Sequence, residues 1–199
     1  DLHSFPTRRS SDLHSRRNPF LTEKWDVDAY SKEIKGGFDD FDGKEVSCAG
    51  RIMANRHMGK ASFIDIKDKL GRIQCYIRQD EITPEEYEVF KTYDIGDIVG
   101  VKGSVFKTRH GEISIRVSDI ALLSKSLQVL PDKFKGLKDQ DLRYRQRYVD
   151  LIVNDDVADT FRKRAAIIKE IRRYLEDDRG FLDVDTPDRK STRLNSSHP

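Results

Sequence analysis

The chain has 199 residues, of which 36% are apolar and 36% charged, and its 37 Lys and Arg residues nearly balance its 35 Asp and Glu residues. A chain of this length holds one domain, or one domain and part of a second. The net charge of +2 excludes a polybasic chain that binds nucleic acid through its overall field, so any such binding must depend on locally placed charges.

The two cysteines, Cys48 and Cys75, both lie in alternating strand patterns and lack the spacing of metal ligands or of an extracellular disulfide framework. We therefore expect two buried, reduced thiols. No apolar run reaches the ~18 residues of a membrane span, and no short apolar segment follows a basic start as in a signal peptide. The sequence predicts a cytoplasmic protein with no membrane partner and no metal site.

The two ends of the chain differ from its interior. Residues 1–17 and 188–199 are rich in Ser and Arg and show no useful periodicity, and the first residue is not a methionine. We interpret both segments as non-native tails, with natural disordered tails as the alternative, and leave them out of the fold prediction.

The interior begins with a helical lead-in at 18–45, in which a helix is predicted at 26–34, before the break at Gly36-Gly37. Alternating apolar residues then predict five strands, at 46–58, 61–68, 72–79, 97–108 and 112–123. Between the third and fourth strands a helix is predicted at 84–93, because Pro84 precedes two acidic residues.

This order of three strands, a helix and two strands is typical of an OB-fold, a five-stranded barrel whose strand 2–3 face and adjoining loops bind oligonucleotides. We assign it to residues 46–124. SH3-like barrels and ribosomal β-domains give similar patterns, so the order alone leaves these folds open. The predicted architecture is mainly β with flanking helices.

A different pattern follows the last strand. Residues 125–154 are predicted to be a linker and a junction helix at 141–152. Alternate arginines in that helix, Arg143, Arg145 and Arg147, either contact RNA phosphates or serve the junction itself. A longer helix is predicted from Asn154-Asp155 to Gly180, a residue typical of helix ends, and a strand at 181–187. Residues 155–187 therefore look like the start of a second, α+β domain.

One aromatic side chain stands on the wrong face of its predicted strand. Ile64 and Ile66 lie on the apolar face, which leaves Phe63 on the polar face with Asp65 and Lys67. Either the predicted 84–93 helix covers this ring, or a flat ligand does. Single-stranded nucleic acid is such a ligand, because its bases stack on aromatic rings.

Other side chains near that face suit the same ligand. Gln74 can donate and accept hydrogen bonds, Arg56 lies near the end of the first strand, and Glu112 can accept a hydrogen bond from a base. Possible secondary RNA contacts are Tyr76, His57 and Arg72. No residue pattern indicates a catalytic group.

Four blocks in order, KASFIDIKDKLGRIQCYI, DIGDIVGVKGSVFKTRHGEISI, LPDKFKGLKDQDLRYRQRYVDLI and RGFLDVDTP, closely resemble class II lysyl-tRNA synthetases. The resemblance covers residues 18–187. It implies that residues 46–124 bind the anticodon of tRNA(Lys), with Phe63 stacked on the central uridine. It also implies that Arg56, Gln74 and Glu112 contact anticodon bases.

In the same family, the segment at 155–187 resembles motif 1 of the catalytic domain, which ends at a proline, here Pro187. The resemblance implies a homodimer interface with Phe161, Ile168 and Pro187. An amphipathic helix packed on a sheet explains the same periodicity without any dimer.

The resemblance also bears on activity. Motifs 2 and 3, which hold ATP in this family, have no counterpart here, and no GxGxxG or P-loop pattern occurs. We therefore expect a full-length enzyme that uses lysine, ATP and Mg²⁺, and a fragment that binds no cofactor and is inactive alone. Three alternatives remain: a non-enzymatic OB module for single-stranded nucleic acid, an aspartyl- or asparaginyl-type synthetase fragment, and a structural paralogue that has lost aminoacylation.

Overall fold

The computed structural model of the protein describes residues 24–59, 61–128, 130–131, 137 and 139–185. Both predicted tails, as well as Pro187, lie outside the described residues. The chain divides into two compact units, residues 1–130 and 131–199, which we describe separately.

The first unit contains two short helices, five strands and one further helix. In chain order these are α1 Ser31–Gly36, α2 Phe38–Phe41, β1 Glu45–Met58, β2 Ala61–Lys67, β3 Arg72–Arg78, α3 Pro84–Phe90, β4 Ile98–Lys107 and β5 Ile113–Ser124. The five predicted strands are therefore confirmed, each within two residues at either end.

The strands close into a barrel in the order β1-β2-β3-β5-β4. All pairings are antiparallel except that of β3 with β5, which is parallel and joins Gln74 to Ser114 and Tyr76 to Arg116. Closure removes the exposed sheet edges that an open sheet would present. The predicted OB-fold barrel is confirmed.

Along each strand, alternate side chains point inward and fill the interior of the barrel. In β2 and β3 these residues include Ile64, Ile66, Ile73 and Ile77, all essentially inaccessible to water. Strand β4 can approach β5 at Gly103 only because this residue has no side chain. A Cβ at this position would lie 1.9 Å from the carbonyl oxygen of Arg116, at an irregularity in the β4–β5 register.

Helix α3 begins where the sequence predicts. Pro84 is its first residue, and Thr83 and Glu86 cap it reciprocally: the Thr83 hydroxyl accepts a hydrogen bond from the Glu86 amide, and the Glu86 carboxylate accepts one from the Thr83 amide. The helix places Tyr87 and Phe90 in the barrel core.

The predicted helix at 26–34 is wrong at its start, because α1 begins only at Ser31. The preceding residues run alongside β1 instead. The amide of Asp28 donates to the carbonyl of Ser47 (3.0 Å), and the amide of Ser47 donates to the Asp28 carboxylate (2.8 Å). These long-range bonds hold the backbone extended up to the first turn of α1.

The second unit is helical in its described part. Its elements are α4 Gln140–Arg145, α5 Arg147–Val153, α6 Asp155–Arg173 and a π-helical segment Tyr174–Asp178. The single helix predicted at 141–152 is wrong, because the chain breaks at Gln146 (φ −116°, ψ 55°). The start of α6 and the helix-ending role of Gly180 (φ +71°) are confirmed.

The strand predicted at 181–187 is wrong over its described part. Residues 181–185 form no strand, and Phe181 and Leu182 are exposed. A strand needs a neighbouring strand to accept its backbone hydrogen bonds, and no described strand of this unit lies beside it. Among the residues described in either unit, no helix is long and apolar enough to cross a membrane.

Candidate nucleic-acid interface

A row of side chains crosses the outer face of the barrel and contains Phe63. Cross-strand pairing places Arg56 of β1 opposite Phe63 of β2, Phe63 opposite Tyr76 of β3, and Tyr76 opposite Arg116 of β5. Residues paired in this way share one face of a sheet. The row therefore has an arginine at each end and two aromatic rings between them.

The aromatic rings of this face lie close to one another. The Phe63 and Tyr76 ring centroids are 4.9 Å apart, and the Tyr76 and Phe106 centroids are 6.0 Å apart. Each of these side chains is only half-buried. The ring that contacts Phe63 thus comes from the adjacent strand, whereas α3 directs its own rings, Tyr87 and Phe90, into the core.

A polar groove borders this aromatic row. Its volume is about 380 Å³, and its lining comes from α1, β1, β2, β3 and the β4–β5 turn. The lining residues are Lys35, Arg56, Asp65, Arg72, Ile73, Gln74 and Glu112. Three of the four predicted anticodon residues line this groove, and the fourth, Phe63, adjoins it through Arg56.

The polar side chains of the groove hold one another in place. Arg56 Nη2 lies 3.1 Å from Asp65 Oδ1, and Lys35 Nζ lies 2.9 Å from Glu112 Oε1. The Ser114 hydroxyl donates to Gln74 Oε1 at 3.0 Å. Because the carbonyl end of the Gln74 amide has this partner, its NH₂ end is the group left to donate to a ligand.

The groove presents both donors and acceptors to the edge of a base. The charged residues that line it are three cations, Lys35, Arg56 and Arg72, and two carboxylates, Asp65 and Glu112. This excess of positive charge suits the phosphates of a nucleic acid, while the carboxylates can accept from base N–H groups.

One predicted contact is not brought to this face. His57 precedes Met58 at the end of β1 and pairs with Ser62, whose side chain is buried. The His57 Nδ1 lies 2.9 Å from the Ser62 hydroxyl, and its ring meets the edge of Phe90 with centroids 5.8 Å apart. The exposed His57 side chain therefore lies on the side of Ser62 and Phe90, on the opposite face of the strand from the side chains of the aromatic row.

The sequence interpretation missed several residues of the interface. Lys35 and Asp65 complete the groove, and Phe106 and Arg116 extend the aromatic row. Phe106 carries the same signal as Phe63, since it follows Lys102 and Ser104 on the polar face of an alternating strand. The contribution of Lys35 arises only from the fold, because α1 is far from the groove in sequence.

In the second unit, the junction arginines serve the fold. Asp150 is completely buried and is contacted by Arg143 Nε (3.1 Å), by Arg147 and by Asn154 Nδ2 (2.6 Å). Of the two roles that the sequence allows, RNA contact or support of the junction, Arg143 and Arg147 have the second. The Arg147 guanidinium also lies 5.4 Å from the ring centroid of Phe161.

Two of the three predicted dimer residues, Phe161 and Ile168, lie on α6, whereas Pro187 lies outside the described residues. Phe161 is 42% exposed and Ile168 is 36% exposed. Within the described residues, no group of three or more His, Cys, Asp or Glu side chains is arranged to hold a metal ion.

Comparison with known proteins agrees with both units. Residues 46–123 match the model of the OB-fold nucleic acid binding domain of the tRNA anticodon type, and residues 139–194 match the model of class II tRNA synthetases (D, K and N). The second match extends past Pro187, where the resemblance was expected to end. The chain therefore contains an OB-fold nucleic acid binding domain and a segment of a class II tRNA synthetase domain.

The chain is similar to lysine–tRNA ligases. It is 56% identical to the lysine–tRNA ligase of Thermoanaerobacter pseudethanolicus over 169 residues, which are 85% of this chain and 34% of the relative. It is 54% identical to that of Clostridium botulinum (86% and 34%) and 56% identical to that of Syntrophomonas wolfei (82% and 33%). The chain thus spans about a third of the length of these relatives.

Proposed function

We propose that the outer face of the barrel reads the anticodon of tRNA(Lys) as part of a lysine–tRNA ligase. The observation that carries this proposal is the position of Phe63, a half-buried ring on the polar face, between Arg56 and Tyr76 and beside the groove. In the proposed complex the central anticodon uridine stacks on Phe63. The similarity to lysine–tRNA ligases supports the choice of tRNA.

The groove supplies the groups that would distinguish uracil from other bases. Uracil offers carbonyl acceptors and one N–H donor, so it complements the Gln74 amide NH₂ and a carboxylate such as Glu112. Cytosine carries an amino group in place of one carbonyl and would oppose a donor with a donor. Arg56 and Arg72 would contact the bases or the backbone, and Tyr76 provides a further ring surface.

The whole protein would attach lysine to its tRNA in an ATP-dependent reaction, with lysine, ATP and Mg²⁺ as ligands. The chain described here offers no fitting site for the cation, since no acidic or His/Cys cluster of its described residues could hold it. The present residues would bind and orient the tRNA. We extend the proposal to a cytoplasmic homodimer in which α6 contributes Phe161 and Ile168.

The proposed organisation keeps residues 46–124 as the anticodon-binding domain, 125–154 as the linker and junction, and 155–187 as the start of the catalytic domain. Sedimentation of the full-length ligase at several concentrations tests the homodimer. A monomer at all concentrations would contradict it.

A titration of the 199-residue chain with two anticodon stem-loops tests the proposed reading of the anticodon. One loop carries UUU and the other carries UCU, and both are measured at one salt concentration because phosphate contacts make affinity salt-dependent. We expect tighter binding of UUU. Phe63→Leu should weaken that binding about five- to a hundredfold, because stacking contributes ~1–3 kcal/mol per base and ~1.4 kcal/mol is a factor of ten.

Glu112→Gln should reduce the preference for UUU over UCU. The matched control is Lys91→Gln, which removes a charge from the end of α3, where Lys91 pairs with Glu88 rather than with a groove residue. Equal and strongly salt-dependent binding of both loops would instead favour the second candidate, a general single-strand binder. The aromatic row favours that candidate because rings stack on any base.

A further inference from the structure

We propose that the far end of the aromatic row, formed by Tyr76, Phe106 and Arg116, is a second base-stacking subsite. It would bind an unpaired base next to the one stacked on Phe63. This inference rests on the proposed function, since both subsites would hold the same RNA loop. The sequence interpretation overlooked both Phe106 and Arg116, and the matches to known proteins assign neither residue a role.

The positions of the rings provide the first argument. Tyr76 is contacted from β2 by Phe63 and from β4 by Phe106, at centroid distances of 4.9 and 6.0 Å. The interplanar angles are 39° and 58°, so neither neighbour is stacked flat on Tyr76. Strands β3 and β5 separate β2 from β4. A base stacked on Phe63 therefore leaves Phe106 uncovered.

The charge at this end of the row provides the second argument. The Arg116 guanidinium lies 5.1 Å from the ring centroid of Phe106, within the range of a cation–π contact. Its side chain is 51% exposed. A planar cation beside a ring is suited both to stacking on a base and to contacting the adjoining phosphate.

Among the residues that the structure describes, Arg116 forms one ion pair, and it is a loose one. Its Nε lies 3.9 Å from Glu81 Oε1, and the same oxygen lies 3.9 Å from Arg78 Nη1. Arg78 has a closer partner in Asp80, with Nη2 and Oδ2 2.8 Å apart, so Glu81 is only a distant partner of both arginines. The loose contact with Glu81 leaves the Arg116 guanidinium able to contact a phosphate. Arg56 occupies the opposite end, so cations flank the rings on both sides, as expected for a surface that follows a charged backbone.

A thermodynamic cycle between protein and RNA tests the second subsite. The probe is the UUU stem-loop, together with two versions in which one neighbour of the central uridine is abasic. For the wild-type chain, one of these two abasic loops should bind roughly five- to a hundredfold more weakly. The Phe106→Leu variant should bind the intact loop with a similar loss of affinity. It should bind the same abasic loop no more weakly than it binds the intact one.

Three controls keep the test decisive. Phe106→Tyr retains a ring and should retain the affinity of the wild type, and equal melting temperatures of the Leu and Tyr variants show that folding is unaffected. If Phe106→Leu does not fold, Arg116→Gln replaces it and should weaken binding and lower the slope of log affinity against log salt by about one. Lys91→Gln removes one charge outside the row and should leave the affinity unchanged.

The inference is overturned if Phe106→Leu binds the intact loop like the wild type, or if the abasic losses are the same in both proteins. A parallel cycle between Phe63→Leu and an abasic central position separates the two proposals. If the losses of affinity from Phe63→Leu and from the abasic central position are not additive, whereas those of the Phe106 cycle are, the anticodon proposal stands and the second subsite is contradicted. If the wild type binds no stem-loop, both proposals fall.

Discussion

Lys35 and Glu112, which are 77 positions apart in sequence, form an ion pair across the rim of the groove, with Nζ and Oε1 2.9 Å apart. The pair joins α1 to the turn before β5. Both side chains are substantially exposed, and exposed pairs contribute at most about 1 kcal/mol to folding. We therefore expect Lys35→Gln and Glu112→Gln to change the free energy of unfolding by less than about 1 kcal/mol each.

Urea unfolding of the two variants, followed by circular dichroism, measures this change. A loss of several kcal/mol would mean that the pair holds the barrel together. In that case the binding effect of Glu112→Gln could not be assigned to a contact with RNA.

Lys125 and Asp97 form a second ion pair, and this one is buried. Their side chains are 1% and 0% exposed, and the Lys125 Nζ lies 2.9 Å from Asp97 Oδ2. Lys125→Met leaves the Asp97 carboxylate buried, where it still accepts hydrogen bonds from the backbone amides of Asp94 and Ser126. Removing one member of a buried pair costs about 3–5 kcal/mol, so we expect a loss of that size in the free energy of unfolding.

The matched control is Lys91→Met, which removes an exposed pair with Glu88. It should change the free energy of unfolding by less than about 1 kcal/mol. A second change, Asp97→Asn in the Lys125→Met background, should recover part of the loss because it removes the unpaired charge. Equal stabilities of Lys125→Met and Lys91→Met in urea would contradict this account.

Asp150 is the corresponding buried charge of the second unit. Its carboxylate accepts from Arg143 of α4, from Arg147 of α5 and from Asn154, so it ties two helices and the start of α6 together. Asp150→Ala should therefore increase amide hydrogen exchange across 140–160, since it leaves two arginines without their buried partner.

Asp159→Ala is the control for this prediction, because Asp159 makes an exposed pair with Arg162 in α6. Its exchange pattern should match that of the wild type. Identical exchange in the two variants would show that Asp150 does not organise these helices.

Ionisation of the barrel cysteines should affect stability only at high pH. Burial, with a further contribution from nearby carboxylates such as Asp28, raises the pKa of Cys48 from 9.0 to about 12. The pKa of Cys75 is raised as well, mainly by burial. Because the unfolded thiols ionise first, the free energy of unfolding should fall as pH rises from 9 towards 12.

Guanidinium unfolding at several pH values measures this fall, and Cys48→Ala should make it shallower. Below pH 9 the difference in free energy of unfolding between the wild type and Cys48→Ala should not vary with pH because of this thiol. A Cys48 thiol that reacts with a thiol reagent at pH 8 as fast as a free cysteine would contradict its burial.

Much of the barrel could be predicted because each strand alternates clearly between apolar and polar residues. The outward position of Phe63 could be predicted for the same reason, since an odd and an even residue of a strand never share a face. The contact of Tyr76 with Phe106 could not be predicted in this way, because it depends on the strand order, in which β5 lies between β3 and β4.

The remaining differences come from contacts between residues distant in sequence. Ser47 holds the chain before α1 extended, and the shared contacts of Arg143 and Arg147 with Asp150 accompany the break at Gln146. Local propensity predicts a continuous helix in both places. The face of His57 follows from its pairing with Ser62, which the turn after β1 determines.

The parallel seam between β3 and β5 also has a consequence for the order of folding. The meander of β1, β2 and β3 needs only local contacts, whereas the seam joins Gln74 to Ser114 across 40 residues of chain. Loop-closure entropy makes such distant pairings slow. Because Tyr76 and Arg116 meet across this seam, we expect the RNA-binding face to be completed only after that meander has formed. Pulse-labelled hydrogen exchange during refolding would detect this as later protection of the β3–β5 pairing than of the β2–β3 pairing.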